Sequence, residues 1–124
     1  MPQKTVLVVD DSKVALMTEV MILRRDGRFD IIEGKNGEEA VELAVKHLPD
    51  LILMDVNMPI MDGFEACRVL RNKAETKTIP IILVTTRGEA ENIEAGYENG
   101  CSDYVTKPIN GSELLSKIQN VLGS

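Results

Sequence analysis

Asp10, Asp11 and Asp55 are the residues of this chain best suited to chemistry. Each closes an apolar run. Val6-Leu7-Val8-Val9 leads into Asp10-Asp11, and Leu51-Ile52-Leu53-Met54 leads into Asp55. Two further runs end on polar groups: Ile81-Ile82-Leu83-Val84 on Thr85-Thr86, and Asp103-Tyr104-Val105 on Thr106-Lys107-Pro108. Three carboxylates packed close repel one another, and one pKa rises unless a cation is present. Oxygen-only ligands favour a hard cation, Mg²⁺ or Mn²⁺. Two or three carboxylates do not fill an octahedron, so waters, a backbone carbonyl and a phosphoryl oxygen would complete it. Lys107 is a compact positive charge suited to a phosphate or carboxylate. Thr85 can donate a hydrogen bond to an oxyanion. A carboxylate can itself accept a phosphoryl group, giving an aspartyl phosphate. The cation and Lys107 would then neutralise the charge of a loose, in-line transfer.

Each residue taken singly has a plainer reading. Asp10 or Asp11 alone is a helix cap, Asp55 a turn residue, Thr85 a β-former and Lys107 a solvated charge. Their joint placement at the ends of different strands favours a site. Asp62 stays a helix cap. Met58 and Met61 read as packing residues, and the run Glu89, Glu91, Glu94, Glu98 as a solvated face. The single histidine, His47, excludes a multi-histidine metal site and reads as a helix C-terminal residue. Cys67 and Cys101 lack CxxC spacing and read as reduced thiols of a cytoplasmic protein. No GxxxxGK[ST] loop occurs, so the site suits a small phosphoryl group rather than a nucleotide.

The elements that must position these groups alternate. Thr5 to Val9 is a buried strand by its β-branched content. Ser12 to Arg25 carries Val14, Leu16, Met17, Val20, Met21 and Leu23 at helical spacing, and Asp26-Gly27 stops it. Phe29 to Glu33 is a short strand, ending at Glu33-Gly34 outside the cluster. Asn36 can cap a helix that runs to about His47, with Glu39 three residues on and Pro49 at its end. Leu51 to Met54 is the third strand. Asp62 opens a helix to about Asn72, and Lys73 to Thr78 is a loop. Ile79 to Val84 is the fourth strand, with Pro80 near its start. Gly88 to Asn99 is a poor helix, and Asp103 to Val105 a short fifth strand. Asn110 opens an amphipathic helix through Leu122.

Five strand–helix units without repeat or linker imply a parallel sheet wrapped on both faces, in one domain of 124 residues. In such open sheets ligands bind beyond the C-terminal strand ends, where strand order reverses. Fourteen basic and 20 acidic residues leave a net charge of −6, which disfavours direct contact with nucleic acid or anionic membrane. No run approaches the roughly 18 apolar residues of a membrane span, and the N-terminus passes directly into a strand with no secretory signal.

The motifs VLVVDDS, LILMDVNMPIMDGF, PIILVTT and DYVTKP, in this order and on these elements, resemble the receiver domain of response regulators. The resemblance covers about Lys4 to Leu122. It implies a flavodoxin-like (βα)5 fold with strand order 2-1-3-4-5. It implies that Asp55 accepts the phosphoryl group, that Asp11 binds Mg²⁺ directly with help from Asp10, and that the Asn57 backbone carbonyl is a further ligand. Thr85 and Lys107 should contact the phosphoryl oxygens, Tyr104 should turn inward on activation, and the Lys107-Pro108 peptide should be cis. The donor would be a phosphohistidine on a sensor histidine kinase or phosphotransfer domain, docking on the first helix, or a small acyl phosphate. The receiver would be a monomer or a phosphorylation-promoted homodimer. It would not be an enzyme beyond its own phosphotransfer and autodephosphorylation.

Thr86 departs from the family pattern, which most often has alanine or serine after the switch threonine. Asn57 and Arg87 stand at positions that tune phosphate lifetime. A phosphoryl group adds roughly −1.5 to −2 charge. Thr85 would follow it, Tyr104 would swing from solvent into the space vacated, and the weak fourth helix would shift with the fifth strand and last helix as an output face. These 124 residues hold no DNA-binding or catalytic output domain, so the output would be a downstream protein target or a further part of a longer chain. Two other classes share parts of this pattern. A Mg²⁺-dependent phosphohydrolase with an aspartyl-phosphate intermediate would want a DxD motif on the first strand and room for a cap. A flavodoxin-like electron carrier would want aromatic residues on a flavin, and this chain has two Tyr, two Phe and no Trp.

Overall fold

The computed structural model describes residues 3–86 and 90–123, with side chains at 3–86 and 93–123. Five strands and five helices alternate: β1 Lys4–Val9, α1 Lys13–Asp26, β2 Phe29–Gly34, α2 Gly37–His47, β3 Leu51–Asp55, α3 Gly63–Arg71, β4 Ile81–Thr86, α4 Ala90–Glu98, β5 Asp103–Lys107 and α5 Gly111–Leu122. The strands form one parallel sheet in the order β2-β1-β3-β4-β5. Strand order therefore reverses beside β1, between β1 and β3. Among the described residues no helix is long and apolar enough to cross a membrane.

The alternation of each strand divides the core. Leu7, Val9, Ile52, Met54, Ile81 and Leu83 face Ala40, Ala44, Ala66, Cys67 and Leu70 of α2 and α3. Val6, Val8, Leu53, Ile82, Val84 and Val105 face Val20 and Leu23 of α1 and Leu114 and Ile118 of α5. β3 is buried along its whole length, which is why it reads as an unbroken apolar run.

The helix starts follow their caps. Ser12, Asn36, Asp62 and Asn110 each accept a backbone N–H three residues on. Gly27 ends α1 at φ 83. α2 ends at Leu48, itself left-handed at φ 47, one residue before Pro49.

Some boundaries move. β4 begins at Ile81 rather than Ile79. Pro80 has no N–H for the ladder, and only its carbonyl joins, accepting from Ile52 N at 3.0 Å. β3 and β5 run on to Asp55 and Lys107, so both reactive side chains sit on the sheet itself. The apolar pattern of α1 does not form one buried stripe: Val14 (75%), Met17 (64%) and Met21 (49%) are exposed. Met58 and Met61 pack against the α2/α3 core, Glu94 and Glu98 are exposed and His47 is the last residue of α2, as expected, while the Glu91 side chain lies outside the described residues. Arg87 and the first two residues of the expected fourth helix, Gly88 and Glu89, lie outside the described residues.

Candidate functional site

The register of the sheet assembles the site. β1 and β3 are neighbours, and β1 runs directly into Asp10 while β3 ends on Asp55. Asp10, Asp11 and Asp55 each offer a carboxylate oxygen, all within 4.8 Å of one another. Asp10 and Asp55 are buried and Asp11 is exposed, so the cluster opens to solvent on the Asp11 side. Lys107, at the end of β5, reaches across: its Nζ lies 3.4 Å from Asp55 Oδ2 and 3.3 Å from Asp10 Oδ2. The contact to Asp55 is a hydrogen bond; that to Asp10 has the distance without the angle. The Lys107-Pro108 peptide is cis.

The loop after Asp55 is held by backbone. Val56 N–H donates to Val84 O at 3.0 Å, and Gly63 N–H donates to Val56 O at 2.9 Å. A Cβ on Gly63 would stand 2.5 Å from the Asp55 carbonyl oxygen, so glycine alone lets the start of α3 close on the end of β3. Gly37 plays the same part from α2: its N–H donates to Met61 O at 3.0 Å, where any side chain would overlap that carbonyl. Asn57 stands exposed in this loop.

The charges shape one another. Burial, then Asp10, push the Asp55 carboxyl up from 3.8 to about 6, with Lys107 opposing. Burial alone would lower Lys107, but Asp55 and Asp10 outweigh it and its pKa is raised. Asp10 Oδ1 accepts the Ser12 N–H at 2.9 Å, while buried Oδ2 makes no hydrogen bond. An orphaned carboxylate oxygen beside two more carboxylates fits a hard cation.

Not every expected residue meets the cluster. Thr85 is buried, and its hydroxyl donates to the Thr86 carbonyl at 3.0 Å. Thr86 is exposed and pairs with Lys107 across the β4–β5 ladder. Tyr104 is half-buried. Lys117 Nζ lies 4.4 Å from its ring centroid, the Tyr97 ring stands perpendicular to it with centroids 6.3 Å apart, and Lys117 also donates to its carbonyl. One residue escaped the motifs. Glu19 of α1 is fully buried, and burial, then Asp10, push its carboxyl up to about 9. It stands at helical spacing with Leu16, Val20 and Leu23, which is the signal that could have found it.

Residues 6–119 match the sequence profile of the response regulator receiver domain. The chain belongs to this family. It is a phospho-accepting signalling domain. The receiver domain is 38% identical over 117 residues to Protein PilH of Pseudomonas aeruginosa, covering 94% of this chain and 96% of that protein. It spans about half or less of the length of several other curated relatives. A putative response regulator from Chloroflexus aurantiacus superimposes with a TM-score of 0.94 at 34% identity, over 98% of this chain and 99% of that one. The receiver domain of the sensor histidine kinase PA1611 from P. aeruginosa, with a magnesium ion coordinated in its active site cleft, superimposes with a TM-score of 0.91 at 30% identity, over 98% and 99%.

Proposed function

We propose that residues 1–124 form a single receiver domain in which Asp55 accepts a phosphoryl group, and that Asp10, Asp11, Asp55 and the Asn57 backbone carbonyl hold Mg²⁺. The observation that carries this reading is the convergence of three carboxylates and the Lys107 ammonium at the point where strand order reverses. When bound, the ion supplies positive charge that screens the carboxylates and the incoming phosphoryl oxygens. Asp55 presents its carboxylate from a strand end that the Gly63 contact keeps still. Lys107 lies against Asp55 Oδ2 and is placed to follow the phosphoryl oxygens as they arrive. Thr85 is the hydroxyl partner on the other side, once it releases the Thr86 carbonyl. Thr86, exposed on the rim, narrows the approach and selects among donors.

The donor is a phosphohistidine on a sensor histidine kinase or phosphotransfer domain. It docks against the exposed Val14, Met17 and Met21 face of α1. The signal leaves through α4, β5 and α5, where Tyr104 is held by side-chain contacts that can be exchanged. The output is a protein partner, or a further part of a longer chain, and the receiver acts in the cytoplasm.

Intact mass after incubation with Mg²⁺ and acetyl phosphate tests the reading. Wild type should gain one phosphoryl group, and Asp55→Asn, or wild type with EDTA, should not. An adduct that persists on Asp55→Asn would sink the assignment of Asp55. Repeated turnover of phosphomonoesters would make the site a phosphohydrolase instead.

A further inference from the structure

The loop from Asp55 to α3 turns sharply at Ile60. Met61 N–H donates to the Pro59 carbonyl at 2.7 Å, and Ile60 between them takes φ 71. A three-residue turn with a positive central φ is the rare, strained form, and a β-branched side chain suits that conformation least. Burial does not repay the strain, because Ile60 is 73% exposed. Its neighbours hold the turn instead. Met61 packs against the α2/α3 core, its carbonyl accepts the Gly37 N–H at 3.0 Å, and Asp62 caps α3. Glycine would take this φ without cost and a polar residue would suit the solvent, so stability explains neither the β branch nor the apolar surface. Strain that the surroundings enforce clusters at functional sites. Ile60 stands five residues after Asp55, and the exposed Val14 four residues after Asp10. α1 and α3 pack on opposite faces of the sheet, so the two apolar groups flank the acidic cluster from either side. An acyl phosphate is small enough to reach Asp55 past the exposed Asp11 without meeting either group. A phosphoryl group carried on a protein arrives with a surface around it, and that surface must settle on this rim.

We propose that Ile60 is a specificity-determining contact for the protein that delivers the phosphoryl group: the strained turn holds it outward, to be buried by an apolar patch beside the donor's phosphohistidine. A contact fixed in advance loses little conformational freedom on docking, which is what the turn gains for its strain. Burying a side chain of this size is worth about tenfold or more in affinity. The inference rests on the reading of Asp55 as the acceptor of a phosphoryl group from a protein donor.

The test times phosphoryl transfer to wild type, Ile60→Gly, Ile60→Asn and Ile60→Val from two donors in the presence of Mg²⁺, with urea unfolding and sedimentation of each protein. One donor is acetyl phosphate. The other is whichever of a purified set of phosphohistidine-loaded phosphotransfer domains labels wild type fastest, used below saturation. Glycine and asparagine accept a positive φ, so both variants should unfold at the same or a higher urea concentration. With acetyl phosphate both should react within about twofold of wild type. With the phosphotransfer domain both should react about tenfold more slowly. Ile60→Val keeps the branch and most of the apolar surface, and should stay within about fourfold of wild type. A fold no weaker, with a loss confined to the protein donor, is a split that a merely structural residue does not produce. Equal rates from the phosphotransfer domain overturn the role of Ile60 and leave Asp55 as the acceptor. So does an equal slowing with both donors, which would make the turn a support for Asp55, or a fall in the urea midpoint, which would make Ile60 a packing residue. Unchanged transfer with slower sedimentation of the phosphorylated variants also overturns it, by making the occupant a second copy of the chain. Wild type labelled by acetyl phosphate but by no phosphotransfer domain overturns the protein donor and this inference together. Wild type labelled by neither overturns Asp55 as the acceptor.

Discussion

The two ends of the proposed signal are built differently. At the Asp55 rim, the chain is held by backbone: strand pairing, the Val56 and Gly63 hydrogen bonds, and helix starts pressed so close that Gly37 and Gly63 admit no side chain. At the α4–β5–α5 face, Tyr104 is held by side chains: the perpendicular ring of Tyr97, the ammonium of Lys117, and Asp103, which accepts the Tyr104 N–H at 2.8 Å and pairs with Lys117 at 3.5 Å. Tyr97 is 47% exposed, and its hydroxyl reaches Asp103 only at 3.4 Å. Contacts between partly exposed side chains are worth little each and can be traded for others. A phosphoryl site needs a fixed nucleophile, whereas a switch needs a face that a few kcal/mol can rearrange.

This contrast can be broken at its rigid end first. Gly63→Val should cost about 3 kcal/mol or more in urea unfolding, because the new side chain meets backbone atoms that cannot move aside. A loss below about 1 kcal/mol would mean that the loop after β3 is soft and the comparison wrong.

Removing the buried charge acts in the opposite direction. Folded Asp55 holds its proton to about pH 6, against 3.8 for the ordinary group. Between those values the folded protein binds the proton and the unfolded chain does not. This residue's contribution to stability therefore falls as pH rises from about 4 to about 6, and is flat above. Without divalent cation, Asp55→Asn should lose that part of the slope and gain up to about 3 kcal/mol at pH 7, the cost of keeping ionised a carboxyl raised from 3.8 to about 6. Unfolding curves of both proteins at pH 4 and pH 7 decide it. A variant no more stable than wild type at pH 7 would show that Lys107 already offsets the burial of Asp55.

The thiols report on the core around α3. Burial pushes Cys67 from 9.0 up to about 11, leaving roughly 100-fold less thiolate near neutral pH. Burial pushes Cys101 higher, to about 12. Native protein should therefore take up iodoacetamide at pH 8 at least about 100-fold more slowly than the unfolded chain. Fast labelling of Cys101 alone would place the loop after α4 with the mobile face.

The smallest effect belongs to that face. Tyr97→Ala should cost about 1 kcal/mol or less. It should nevertheless shift the ¹⁹F resonance of a fluorotyrosine at position 104, a clean probe in a chain with two tyrosines. A large loss of stability with no change at Tyr104 would move this region to the rigid class.

Much of this was legible in local pattern. Buried strands are unbroken apolar runs, and caps sit three residues before the N–H they accept; both are short-range rules. The carboxylates at the ends of β1 and β3 followed from those rules with the order of elements. The α1 helix was not legible in the same way. Its apolar residues spread round the helix, so periodicity alone did not say that Val14, Met17 and Met21 face solvent. The family resemblance implied a Tyr104 that swings inward from solvent; nothing nearby in sequence marks Lys117 and Tyr97 as its neighbours.

By itself, the sequence determined the alternation of strands and helices, the capped helix starts and the polar groups at the strand ends. Each depends on residues within a few positions of one another. Tertiary structure decided which of those groups meet. Lys107 reaches Asp55 across 52 positions, and Glu19 is buried only because α1 packs back on the sheet. Parallel strands and their crossovers bring such residues together, and the electrostatics of the site exist only once water has been excluded between them.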